Sequence, residues 1–174
     1  MKSLFSSFNA RLLLIHFVAF WFFMYGFQMI SFLHDYDFLY SQHTLLLNFP
    51  GRFDYDMVII EQSGSFGLIA AYITSFFISS KQGWHWINSS LVFLVTFLIE
   101  NFVLLPWVKF HDIYLSPGGL FHVFNKWGHL AVGIALLSFG VLLIISKKVI
   151  KYINGNGAKD KKKVATGKKP RRTR

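Results

Sequence analysis

At 174 residues, with 53% hydrophobic and 15% charged side chains, the chain is too apolar for an ordinary soluble domain, where about 25% would be charged. A net charge of +10 suggests a nucleic-acid partner until it is located: 12 of the 18 Lys and Arg lie between Lys147 and Arg174, so the basicity belongs to a tail and no nucleic-acid surface is implied. The absence of Cys excludes disulfides, thiolate catalysis, thioether haem attachment and cysteine zinc sites.

In chain order, Lys2 and Arg11 precede a first apolar run from Leu12 to Phe32. It is too long for the core of a signal peptide, and no small-x-small cleavage site follows, so a retained membrane span is expected. Gln28 is polar within it, and His16 falls in its opening half, where a helix-packing role is expected. A loop from His34 to Asp56, rich in Asp, His and Tyr, closes on the turn-forming Asn48-Phe49-Pro50-Gly51.

The second predicted span is Met57 to Ser79 and the third Trp86 to Trp107. In the second, Glu61, Gly64, Ala71 and Ser75 fall on or near one helical stripe with Gly67 beside it, and small residues on a stripe admit a neighbouring helix. Along the third, Ser89, Phe93, Thr96 and Glu100 share a face, with Asn101 next to it. Asn88-Ser89-Ser90 fits the glycosylation pattern, but the topology derived below places it inside, and no role is assigned to it.

Val108 to Trp127 turns at Ser116-Pro117-Gly118-Gly119, after which Phe121, Phe124 and Trp127 suggest a short amphipathic segment at the interface. A fourth, shorter span runs from Gly128 to Ile145 and opens with His129. Asn154-Gly155-Asn156-Gly157 reads as a helix stop and linker. Lys159 to Arg174 has almost nothing to bury, so it is expected to be disordered and drawn to anionic headgroups by roughly 1 kcal/mol per basic residue near the surface. Residues 1–153 thus form an all-α membrane domain of four transmembrane helices, and residues 154–174 a basic tail.

Lys and Arg are retained on the cytoplasmic side of a membrane protein. With both termini inside, Lys2, Arg11, Lys81 and the 12 tail residues give 15 inner charges, against Arg52, Lys109 and Lys126 outside. The 15 to 3 division predicts a chain with both ends cytoplasmic, in a plasma or inner membrane.

Charged residues within a span each cost roughly 2.5 to 3.5 kcal/mol on an insertion scale, so they mark function or a packed partner. There are two, Glu61 and Glu100. Counted from the outer ends of their spans they lie roughly 6 and 10 Å deep, at 1.5 Å per residue. Gln28, Asn101 and His129 fall at comparable depth, so one outward polar cluster of Gln28, Glu61, Glu100, Asn101 and His129 is expected. It would serve either as a structural network fixing helix register or as a site for a ligand, proton or substrate.

His34, His43, His111, His122 and His129 fall on the same side as several Asp, but without the tight helical spacing of a metal site. No metal and no cofactor are expected. Glycine-rich phosphate loops, Gly-x-Ser-x-Gly elbows and paired His boxes are absent from the sequence.

The plan of four spans, inner termini and a long outer first loop resembles signal peptidase II, and Phe124-Asn125 and Gly64-Ser65-Phe66-Gly67 echo fragments of that family's motifs. That family cleaves with two aspartates near the outer ends of its third and fourth spans. Here Asn101 leads to Phe102-Val103-Leu104-Leu105, and Phe124-Asn125 to Lys126-Trp127-Gly128. With neither aspartate present, the resemblance carries over no catalytic residue.

Three functions remain open on sequence grounds. The leading one is a non-catalytic membrane partner or assembly factor, with the bilayer and another membrane subunit as its expected partners. The others are a protein that binds or moves a small or lipid-like ligand through Glu61 and Glu100, and a membrane enzyme acting on a lipid-linked substrate with those acids.

Overall fold

The computed structural model of the chain describes residues 8–37, 50–104, 106 and 124–155. Helix α1 (Ala10–Ser31) begins where Asn9 leaves helical geometry. The Asn9 side chain accepts from the backbone N–H groups of Arg11 and Leu12, satisfying two of the donors that a helix start leaves without partners. The helix then tightens into a 3₁₀ turn, Phe32–Asp35.

Helix α2 (Pro50–Gln82) opens on a proline, which has no N–H to leave unsatisfied at a first helical position. It stops at Gly83, whose φ of 69° is open to glycine at little cost. Helix α3 (Ile87–Ile99) continues as a π-helical segment, Glu100–Leu104. Helix α4 (Lys126–Ile145) is capped by Asn125, whose Oδ1 accepts from the Gly128 N–H at 2.7 Å. An extended Ser146 separates it from a short helix α5 (Lys147–Asn154).

Four of these stretches, Ala10–Asp35, Val58–Gln82, Ile87–Leu104 and Lys126–Ile145, are 26, 25, 18 and 20 residues long and apolar enough to cross a bilayer, which takes about 20 residues. They overlap the four expected spans. The differences lie at the ends: the caps at Asn9 and Asn125 start the first and fourth helices two residues early, and Gly83 rather than Ser79 closes the second. The expected amphipathic segment at Phe121 and the tail beyond Gly155 lie outside the described residues.

Helix α1 is the hub, packing against α2, α3 and α4. Glycine makes this closeness possible. A Cβ built on Gly67 of α2 would stand 2.6 Å from the Phe23 carbonyl oxygen, and one on Gly140 of α4 would stand 2.7 Å from the Phe23 ring. Around these contacts Ala19, Phe20, Phe23, Leu68, Ala71, Val92 and Ile144 form the buried core. Large apolar side chains such as Phe66, Phe77, Phe102 and Phe139 point outward instead, a surface suited to lipid.

Candidate functional site

The stripe expected on α2 lies against α1. Gly64, Gly67, Ala71 and Ser75 are all buried, and the Gln28 side chain fills the space that a side chain on Gly64 would occupy. That leaves Glu61, one turn before Gly64, half-buried beside Gln28 rather than turned to lipid. On α3 the polar face is likewise inward, with Ser89, Thr96 and Glu100 buried.

These helices converge on a cavity of about 190 Å³ whose walls include Gln28, Glu61, Gly64, Glu100 and Asn101. Glu100 is 9% exposed, and the Gln28 carboxamide donates a hydrogen bond to its carboxyl. The second Glu100 oxygen, Oε2, is buried with no hydrogen-bond partner among the described residues. Glu61 is close enough for its charge to act on Glu100. Glu100 also opens the π-helical segment, a wide turn that often marks a functional position inside an α-helix. The Asn101 side chain donates back to the Phe97 carbonyl at 2.9 Å.

Four of the five polar residues singled out from sequence thus line one cavity. His129 is not among its described walls. The 3₁₀ turn after α1 brings Phe32 and Tyr36 over the start of α4, so the His129 ring stacks on Phe32 at 4.6 Å and meets Tyr36 edge-on at 5.6 Å. Its Nδ1 lies 3.1 Å from the Asn125 carbonyl. Placing His129 in the acidic cluster is therefore corrected: it fastens an aromatic joint between α1 and α4.

A second polar group, unrecognised in the sequence, sits nearer the Asn9 end. The fully buried His16 Nδ1 is 2.7 Å from Ser75 Oγ; Ser75 donates to Ser89 at 2.7 Å, and Ser79 lies 3.0 Å from Ser89. His16 is thus not an isolated packing residue but the α1 terminus of a chain of hydroxyls. The signal was available in principle, because a turn at Gly83 sets Ser79 and Ser75 opposite Ser89.

Comparison of the chain with protein-family models, curated proteins and solved structures gives no match, so the reading of function rests on this geometry.

Proposed function

We propose that the chain is a non-catalytic, multi-pass membrane protein with both ends cytoplasmic, and that it binds a small cationic or donor-rich group in the Glu61/Glu100 cavity. The observation that carries this reading is the buried Glu100 Oε2, which has no hydrogen-bond partner among the described residues, on the wall of a cavity that it shares with Glu61. A buried acceptor without a donor costs about 1 to 3 kcal/mol, which a ligand N–H would recover. Two carboxyls and the three carboxamides of Gln28, Gln62 and Asn101 in one cavity favour an ammonium group over an anion.

Size narrows the ligand. At about 190 Å³ the cavity is below the 300–1,000 Å³ usual for sites that enclose whole drug-sized molecules, which favours an amine headgroup or a short polyamine end over a sugar. Apart from the two acids, its described polar walls supply carboxamides and the Ser65 hydroxyl, with no His or Lys beside them. Binding is therefore favoured over catalysis. A role as partner of another membrane subunit rests only on outward apolar faces, which lipid covers equally well.

Primary alkylammonium ions titrated into the detergent-solubilised protein, against alcohols of the same chain length, test the reading by thermal shift and calorimetry. Ammonium should stabilise and bind, alcohol should not, and Glu100→Gln should lose the difference while remaining folded. Equal responses to the two series, or a cation response that survives in both Glu61→Gln and Glu100→Gln, would refute it.

A further inference from the structure

The opposite end of the bundle holds a second concavity that the acidic cavity does not explain. A chamber of about 680 Å³ opens between the start of α1, the turn after α2 and helix α5, with Asn9, Arg11, Trp84, His85, Asn88 and Ile153 among its walls. Beside it an apolar groove of about 420 Å³ lies between α1 and α3. Ala10 lines both.

The groove is built by helical spacing on two helices that start at the same end. Ala10, Leu13, Leu14 and Phe17 stand at i, i+3, i+4 and i+7 on α1. Asn88, in the polar chamber, is followed at the same intervals by Leu91, Val92 and Val95. A polar mouth therefore leads into an apolar trough about 10 Å long, at 1.5 Å per residue. This is the outline of an amphiphile with a polar head and a hydrocarbon chain.

Charge selects the head. Arg11 is held at the mouth by a donated hydrogen bond to the Tyr152 carbonyl at 3.1 Å and by its guanidinium lying 5.0 Å from the Tyr152 ring. A guanidinium has five N–H donors in a planar fork suited to phosphate oxygens, so one bond to a carbonyl leaves most of them available. Lys81 lies in the last turn of α2, and Lys147, Lys148 and Lys151 lie on α5, whose Ile153 lines the chamber. Among the described residues no Asp or Glu lies at this end. Trp84 and Trp86 flank the turn there, and the Trp84 indole donates to Asn154 at 2.7 Å, holding α5 in place. Such rings belong at a bilayer interface.

We infer that this chamber and groove bind one anionic phospholipid, its phosphate at Arg11 and one acyl chain between α1 and α3. The site is separate from any diffuse attraction of the basic tail, because it is built from α1, α3 and α5. It is also separate from the Glu61/Glu100 cavity, at the other end of the helices.

The test uses the full chain in detergent with phosphatidylglycerol, phosphatidylcholine of the same acyl chains, or inorganic phosphate, read by native mass spectrometry and thermal midpoint. Phosphatidylglycerol should be retained about fivefold over phosphatidylcholine, as one basic contact at a membrane surface implies, and phosphate should have no effect. Arg11→Gln should abolish the preference. Val95→Trp, which fills the groove away from Arg11, should lower retention of both lipids. A chain ending at Gly155 should keep the preference. Equal retention of the two lipids, a shift reproduced by phosphate, a preference that survives Arg11→Gln, or one lost in the shortened chain would each overturn the assignment.

Discussion

The two acids are best understood through what each alternative side chain would leave behind. Gln28 donates to Glu100, so Glu100→Leu strands a buried carboxamide at a cost of about 1 to 3 kcal/mol, whereas Glu100→Gln keeps a hydrogen-bonding group in the same space. Because Glu61 and Glu100 line one cavity, the effects of removing them should be coupled. The expected cycle has both Gln variants folding normally and both Leu variants less stable in detergent, with the double Leu variant losing less than the sum. Additive losses would mean two independent sites. The His16 chain predicts a different scale, since hydrogen bonds between membrane helices contribute about 0.6 kcal/mol on average and at most about 1.7. Ser75→Ala should therefore lower stability only slightly, although it sits between His16 and Ser89. A loss above that ceiling, measured by unfolding in mixed micelles, would show that the chain of hydroxyls acts as one cooperative unit.

Helices here meet through glycine, and the consequence is testable one glycine at a time. Gly67→Ala would set a methyl 2.6 Å from the Phe23 carbonyl, so α1 and α2 must separate, at the roughly 1 to 3 kcal/mol typical of overpacking. Gly51, in the same helix, has nothing within 4 Å of a built Cβ, and Gly51→Ala should leave stability unchanged or raise it by up to about 1 kcal/mol. Equal melting points for the two variants would contradict the close α1–α2 packing. Elements of this kind were largely legible, because hydrophobic length gives the spans and small residues at helical spacing give the packed face of α2. Three features were not. The π-helical turn at Glu100 has no local sequence signal. Ser146 interrupts an otherwise continuous polar extension of α4, so α5 emerges only from its docking on Arg11 and Trp84. His129 shares the depth of the acids but not their direction, and depth alone does not fix where a residue lies around a bundle.

At the scale of the whole molecule, contacts between distant parts of the chain bear on topology. Asn9 donates from its side chain to the Ile153 carbonyl at 3.3 Å and from its backbone to Asn88 at 3.0 Å, so the start of α1, the α2–α3 turn and α5 share one end of the bundle. An even number of crossings follows if all four apolar helices insert. The proposed orientation rests on the charge division of the sequence, 15 Lys and Arg assigned to the inner side against 3 to the outer. The chain contains no Cys, so single cysteines can be placed without background and probed with a membrane-impermeant maleimide. Lys81→Cys and Tyr152→Cys, both exposed, should react only after the cells are permeabilised, whereas His43→Cys and Ser116→Cys should react in intact cells. Labelling of Tyr152→Cys but not Lys81→Cys from outside would require an odd number of crossings and would separate helix ends that the Asn9 contacts hold together. Labelling of both from outside would invert the protein, placing the Glu61/Glu100 cavity toward the cytoplasm and the Arg11 chamber in the outer leaflet, against the distribution of charge.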